Sequence, residues 1–165
     1  MKSSSELRTF PLAPMSPLIR WLTIGLWLLP LGFVLGGLLS GQVLSWAIAV
    51  FLLILYGAVW LGCRPSQFVL SETSLEIQFP LWRRRIPLRT VTNIRRIDKD
   101  EFYQQFGLAL RVGVGGLWGG FGWLWTARGG WLEFYISRTD RFVLIERSKG
   151  NSLLITPHDP EGLLT

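Results

Sequence analysis

The feature that most constrains this chain is an apolar stretch near its N-terminus. Residues 21–63 contain no aspartate, glutamate, lysine or arginine, and a soluble core rarely needs an uninterrupted run of that length. A helix needs roughly 20 residues to cross the hydrocarbon part of a membrane, so the stretch suffices for two crossings. Ser-Gly-Gln at residues 40–42 is a turn signal near its middle. The sequence therefore predicts a transmembrane hairpin with helices over residues 21–39 and 43–63.

Basic residues flank this predicted hairpin on both sides. Lys2, Arg8 and Arg20 precede it, Arg64 and the arginine run 83–85 follow it, and the turn is uncharged. Because loops rich in lysine and arginine stay in the cytoplasm, we expect both termini there. The predicted location is a bacterial plasma membrane or a thylakoid membrane.

Three glycines of the first helix, Gly25, Gly32 and Gly36, recur at helical spacing. They predict a smooth face that another helix approaches closely. The partner is either the second helix of the same hairpin or a helix of another membrane protein.

The period of the sequence changes after the hairpin. Leu75, Ile77 and Phe79 alternate with polar residues, as in a half-buried strand. Further strands are predicted over residues 67–71, 82–86, 94–97, 108–114, 131–137, 142–146 and 153–156, with turn signals between them. Asp159 and Pro160 suit the start of a short final helix. The predicted organisation is an N-terminal tail (1–17), the hairpin (18–64) and a mainly-β domain (65–165).

This second part resembles the bacterial pleckstrin-homology-like (PH-like) domains of small membrane proteins. The likeness lies in Leu-Glu-Ile at 75–77, Arg-Arg-Ile-Pro-Leu at 84–88, Tyr-Ile-Ser-Arg-Thr-Asp at 135–140 and Thr-Pro-His-Asp-Pro-Glu at 156–161. The resemblance implies a bent antiparallel barrel with a C-terminal helix, and binding or scaffolding rather than catalysis. The final helix is shorter here than the family pattern implies.

Residues with catalytic or metal-binding chemistry are sparse. The single histidine, His158, lies at the predicted helix start, where a surface or capping role is expected. Asp98, Asp100 and Glu101 crowd together beside a lysine, a pattern typical of a solvated loop. The lone Cys63 cannot form an intramolecular disulfide. We therefore predict no enzyme, no metal and no cofactor.

A glycine-rich stretch carries the aromatic residues Trp118, Phe121, Trp123 and Trp125. Its glycines do not have the spacing of a phosphate-binding loop. The aromatics either fill the β core or form an ordinary hairpin, or they contact the membrane interface or a membrane partner, where tryptophan is favoured.

An arginine group follows the second helix. Arg83, Arg84, Arg85 and Arg89 are candidates for contact with anionic lipid headgroups, at about 1 kcal/mol each near a charged leaflet. The alternative is the ordinary positive bias of a cytoplasmic flank. The net charge of +6 would also suit nucleic acid, but no nucleic-acid-binding motif accompanies it, so membrane lipids are the predicted partners.

These features together predict a non-enzymatic, membrane-anchored module that binds or scaffolds another membrane protein complex, as an accessory subunit or an assembly factor. A lipid-headgroup module is the second interpretation. A third follows from layout alone, since a hairpin followed by an arginine-bearing β domain is similar to small assembly factors of photosynthetic membranes.

Overall fold

The computed structural model of the chain describes residues 7–164. The helices are α1 (Pro17–Ser40), α2 (Val43–Ala58), α3 (Lys99–Phe106) and α4 (Pro160–Leu164). The strands are β1 (Arg8–Pro11), β2 (Gln67–Leu70), β3 (Ser74–Gln78), β4 (Arg83–Pro87), β5 (Val91–Ile97), β6 (Ala109–Gly115), β7 (Gly120–Thr126), β8 (Gly130–Ile136), β9 (Phe142–Arg147) and β10 (Ser152–Ile155). A π-helical turn, Val59–Cys63, continues α2.

The two predicted apolar helices and the turn between them are confirmed. The first begins at Pro17 rather than at Trp21, because proline suits the first turn of a helix. It ends at Ser40, and the next residue, Gly41, has a φ of 67°, the left-handed conformation that stops many helices. Both helices are long and apolar enough to cross a membrane.

The apolar hairpin is an insertion within the β domain. β1 precedes the hairpin and pairs antiparallel with β2, which follows it, with Pro11 opposite Gln67. The chain therefore enters and leaves the helical hairpin at the same end of one sheet. Part of the segment predicted as an N-terminal tail is thus a strand, and residues 1–6 of that tail lie outside the described residues.

Two sheets with open edges form the β domain, an arrangement consistent with a PH-like fold but less closed than the antiparallel barrel that the resemblance implied. The first has the order β1-β2-β3-β4 and the second β5-β9-β10-β8-β7-β6, in which only β10 and β8 run parallel. Their facing sides share one core, with Phe10 and Phe68 from the first sheet and Phe121, Val143 and Ile155 from the second. The strands predicted from alternation are all present, with ends shifted by a few residues.

The other face of the six-stranded sheet is covered by the helix α3, in a segment whose charged residues predicted a solvated loop. Asp98 caps it by accepting a 2.8 Å hydrogen bond from the backbone N–H of Glu101. Phe102 and Phe106, four residues apart on one helical face, pack against Ile97 and Phe134. The capping spacing and this apolar pair were the signals for the helix.

The predicted C-terminal helix is confirmed as α4. Asp159 accepts a 3.0 Å hydrogen bond from the N–H of Gly162, and Pro160 is the first helical residue. Leu163 is buried in the shared core. The short helix thereby closes part of that core.

Candidate functional site

The tip of the β6–β7 hairpin lies directly on the apolar helices. The Thr23 hydroxyl accepts a 3.0 Å hydrogen bond from the N–H of Trp118. Its own hydrogen has two acceptors within reach, the carbonyl oxygens of Gly116 at 2.7 Å and Ile19 at 2.8 Å. A polar side chain in an apolar helix needs such partners when it is buried, and Thr23 is 6% exposed.

Aromatic rings surround this contact. Trp118 meets the ring of Trp60 edge-on at 4.8 Å and that of Trp27 at 6.3 Å. Tyr56 meets Trp27 at 5.4 Å and donates a 2.8 Å hydrogen bond to the carbonyl oxygen of Leu26. The tip is thus a wedge between the two helices, and its rings prefer these edge-to-face arrangements.

Trp118 holds an unfavourable backbone conformation to make this contact. Its φ is 57°, in the left-handed region that non-glycine residues seldom adopt. The turn is closed by a hydrogen bond of 3.0 Å from the N–H of Gly116 to the carbonyl oxygen of Gly119. Packing of the indole against Trp60 offsets the local strain.

A second contact with the helices is made by the β3–β4 turn. The indole N–H of Trp82 donates a 2.9 Å hydrogen bond to the carbonyl oxygen of Gly62, at the end of the helical hairpin. Trp82 stacks on Phe79 at 4.1 Å, and Leu81 between them is 71% exposed. An apolar side chain this exposed, beside a helix end, suits a lipid interface better than water.

The residues before α1 make a third connection between the helices and the β domain. The N–H of Ser16 donates to the carbonyl oxygen of Ser137, and the N–H of Ala13 to that of Thr156. The Ser137 hydroxyl in turn donates to the carbonyl oxygen of Ala13. Helices and β domain are therefore joined at both helix ends and at the hairpin tip.

The predicted arginine group is divided by the fold. Arg84 forms a bidentate ion pair with Glu133, which is only 4% exposed, across the two sheets. Arg85 pairs with Glu76 at 2.6 Å on the outer face of the first sheet. Arg83 is exposed and follows Trp82 at the helix-side end of β4, whereas Arg89 lies beyond the opposite end of that strand. The structure therefore does not bring the four side chains together.

The Arg84–Glu133 pair changes the local titration. Burial lowers the pKa of Arg84, but the hydrogen bonds and negative charge of Glu133 outweigh it and raise that pKa overall. Burial raises the pKa of the neighbouring Tyr135, and the Glu133 charge adds to the increase. Arg84 is thus held charged as a structural link between the sheets.

The predicted aromatic residues also have separate places. Phe121 belongs to the shared core, and Trp118 lies on the helices. Trp123 and Trp125 are 49% and 41% exposed on β7, whose strand structure replaces the predicted loop and agrees with the hairpin alternative. Residues missed from the sequence are Thr23, a polar residue in the apolar stretch, and Trp131, which faces Trp125 on the next strand.

Exposed apolar side chains form a continuous patch on the outer three strands of the larger sheet. Leu110 lies opposite Trp125, which lies opposite Trp131, and Val112 lies opposite Trp123. Directly opposite residues share one face of a sheet, so the five side chains point the same way. All five are at least 40% exposed. We call them the β6–β8 patch.

The predicted glycine face of α1 has little contact with the second helix. A Cβ atom added to Gly25 or Gly32 would meet nothing within 4 Å, and one on Gly36 would meet only the Ser45 hydroxyl at 3.9 Å. The close approach to α2 is made instead at Gly37, where an added Cβ would lie 2.8 Å from the indole of Trp46. Gly25 and Gly32 remain open to the surroundings of the helix.

The residues that were candidates for catalysis or metal binding lie apart from one another. His158 is exposed, and its backbone N–H donates to the carbonyl oxygen of Pro11. Asp98 caps α3 and Glu101 pairs with Arg95. Within residues 7–164, no three His, Cys, Asp or Glu side chains gather closely enough to hold a metal ion.

Comparison with known proteins agrees with this architecture. The family described as bacterial PH domain matches residues 66–165, which is more than half of the chain and covers all strands from β2 onward. Comparisons with curated proteins and with solved structures found no match. Two apolar helices and one added strand precede the matched segment, and the chain belongs to the bacterial PH domain family.

Proposed function

We propose that this protein is a membrane-anchored, non-catalytic PH-like module that binds another integral membrane protein through the β6–β8 patch. The exposed patch is the observation that carries the proposal. PH-like domains are generally non-catalytic, which agrees with the separation of the chemically active side chains. The module would serve as an accessory subunit or an assembly factor of a membrane complex.

Membrane placement is supported by the exposure of the helices. A core helix of a soluble protein is mostly buried, whereas 17% of the most apolar window of each helix is buried here. Leu28, Leu39 and Leu44, for example, are 60–89% exposed. Burying such surface in lipid gains about 25 cal/mol per Å².

The basic residues favour a cytoplasmic β domain. Arg20, Arg64 and Arg83 lie near the helix ends that join the β domain, and the far turn at residues 40–42 is uncharged. Since the hairpin is inserted between two adjacent strands, the N- and C-terminal parts of the chain lie on one side of the membrane in this arrangement. The positive-inside bias makes that side the cytoplasm.

The β6–β8 patch offers a protein partner a surface that starts beside the helices, where Trp123 lines a cavity with Gly62 and Cys63, and continues along the hairpin. The hairpin tip at Gly116 lies on α1, and each strand residue adds about 3.3 Å. Leu110 and Trp125 therefore lie about 20 Å from the tip along the hairpin. Aromatic side chains dominate the energetics of protein interfaces.

The outer strand of the patch, β6, also has a free edge. It ends the six-stranded sheet, so one row of its backbone groups is unpaired within the described residues. An unpaired edge of this kind can pair with a strand of another chain.

The test is extraction of the native membrane in mild detergent, followed by pull-down of the full chain and mass spectrometry. We expect defined membrane subunits in stoichiometric amounts, and their loss with the double variant Trp123→Ser/Trp125→Ser. Leu7→Ser is a matched control, because Leu7 is also exposed but lies outside the patch. A solitary wild-type chain, or retention of the same subunits by the double variant, would contradict the proposal. Pigmented partners would identify a thylakoid complex.

A second candidate function, contact with anionic headgroups, is favoured by one position. Arg83 is exposed beside the Trp82–Gly62 contact and forms no ion pair within the described residues. In lipid nanodiscs, Arg83→Gln should weaken the preference for anionic lipid, while Arg89→Gln at the other end of β4 should not. Equal effects of the two variants would show that Arg83 contributes only general positive charge and makes no specific headgroup contact.

A further inference from the structure

A cleft lies between α3 and the larger sheet, on the opposite face from the Arg84–Glu133 pair. Its volume is about 470 Å³, within the range of about 300–1,000 Å³ typical of small-molecule sites. Its floor is apolar and comprises Leu124, Ile136, Phe142 and Leu154, all buried or nearly so. These side chains form an apolar surface that suits a hydrocarbon chain.

The rim of the cleft is basic. Lys99 and Arg111 line it, both are exposed, and neither forms an ion pair with a carboxylate of the described residues. The Arg111 guanidinium lies over the ring of Phe134 at 5.3 Å, which orients it across the sheet. The hydroxyl of Tyr103, a half-exposed residue, adds a hydrogen-bond donor to the same rim.

Three nearby carboxylates are already engaged elsewhere, and a fourth, Asp100, is exposed and forms no ion pair with Lys99 or Arg111. Asp98 caps α3, Glu101 pairs with Arg95, and Asp140 pairs with Arg138 at 2.9 Å. The two rim cations therefore have uncompensated charge. An anion at the cleft mouth would complete their hydrogen bonds, because arginine and lysine both bind phosphate oxygens.

One wall of the cleft reaches the first apolar helix. Leu18, the second residue of α1, forms part of its wall, and Thr139 lines it from the turn after β8. That turn follows Ser137, whose carbonyl oxygen accepts from the N–H of Ser16 just before α1. In the membrane placement of the proposed function, on which this inference rests, the mouth meets the cytoplasmic leaflet.

We infer that this cleft binds an acidic phospholipid of the surrounding membrane. One acyl chain lies on the apolar floor, and the phosphate is held by Lys99 and Arg111. The other chain stays in the leaflet beside Leu18, since the cleft volume admits only part of a diacyl lipid. The site would make attachment of the PH-like domain depend on the lipid composition of the leaflet.

Native mass spectrometry of the full chain in nonionic detergent tests the inference, with phosphatidylglycerol, phosphatidylcholine and palmitate added separately. We expect phosphatidylglycerol to bind at least tenfold more tightly than phosphatidylcholine. The variant Lys99→Gln/Arg111→Gln should lose that preference, and the equally charged control Arg89→Gln/Lys149→Gln should keep it. Thr139→Trp obstructs the mouth of the cleft without changing charge. It should weaken phosphatidylglycerol binding as strongly as the Lys99→Gln/Arg111→Gln variant does.

Unchanged phosphatidylglycerol binding by the rim variant or by Thr139→Trp would overturn the inference. So would palmitate binding without phosphatidylglycerol binding, since the ligand would then be a free fatty acid. Extraction of the chain from its membrane distinguishes failure of this inference from failure of the proposed function. A chain that needs detergent for release but shows no rim-dependent lipid binding keeps its membrane placement, whereas release by alkaline wash alone would overturn both.

Discussion

The backbone N–H of Trp118 donates a hydrogen bond of 3.0 Å to the hydroxyl of Thr23 and so joins the β6–β7 hairpin to the first apolar helix. Each residue is unusual in its own element. Thr23 is a buried polar residue in an apolar helix, and Trp118 has a positive φ. The contact connects a PH-like domain directly to helices that a flexible linker would have left independent.

Replacing Thr23 with valine should loosen this connection. Valine keeps the shape but leaves the Trp118 N–H without its partner, at a cost of about 1–3 kcal/mol. Hydrogen exchange at residues 116–119 should accelerate by roughly tenfold or more. Ser40→Ala is the control, because the Ser40 hydroxyl donates only within α1, to the Gly36 carbonyl oxygen. Equal exchange in wild type and Thr23→Val would show that the aromatic contacts alone hold the tip.

Truncation of Phe10 should destabilise the whole β domain. Phe10 is 6% exposed and contributes to the core shared by both sheets. Removing a buried phenylalanine side chain typically costs about 3–5 kcal/mol, so Phe10→Ala should lower the thermal unfolding midpoint in detergent by many degrees. Thr9→Ala on the same strand, where the side chain is exposed, should change it little. A small effect of Phe10→Ala would mean that β1 is dispensable to the domain.

The Arg84–Glu133 pair should be more important to stability than the Arg85–Glu76 pair. Arg84→Met leaves the buried Glu133 carboxylate without its cation, which we expect to cost about 2 kcal/mol, below the value for a fully buried pair because Arg84 is partly exposed. Arg85→Met should cost less than about 1 kcal/mol, since that arginine is largely exposed. Denaturant unfolding measures both values. Adding Glu133→Gln to Arg84→Met should restore part of the loss, and failure to do so would argue against an uncompensated charge.

Alkaline pH should destabilise the protein partly through Tyr135. Burial raises the pKa of its hydroxyl in the folded protein above the ordinary value. The resulting stabilisation is fully present below the unfolded pKa of about 10 and is lost as pH rises through the folded pKa. Unfolding midpoints measured from pH 8 upward should therefore fall more steeply for wild type than for Tyr135→Phe. Parallel curves would show that the hydroxyl ionises without cost to the fold.

The apolar helices, most strands and the final helix were predictable because their signals are local. The uncharged run, the two-residue alternation around Leu75 and the Asp159–Pro160 pair each report the structure of their own segment. α3 was locally signalled too, by the Asp98 cap and the Phe102–Phe106 spacing, but its charged residues suggested a loop. β1 has four residues and gains its stability from pairing with β2 across the whole hairpin, so its own sequence predicts little.

Two apolar helices and a mainly-β, PH-like domain can be recognised in the sequence alone, since hydrophobic run length and periodicity are properties of neighbouring residues. Which side chains act together depends on the packing of distant segments in the folded chain. This packing separated the four arginines through their ion pairs, divided the aromatics among core, helices and surface, and brought Lys99 and Arg111 to one cleft. Strand order and register govern these placements, because they decide which distant residues face the same side of a sheet.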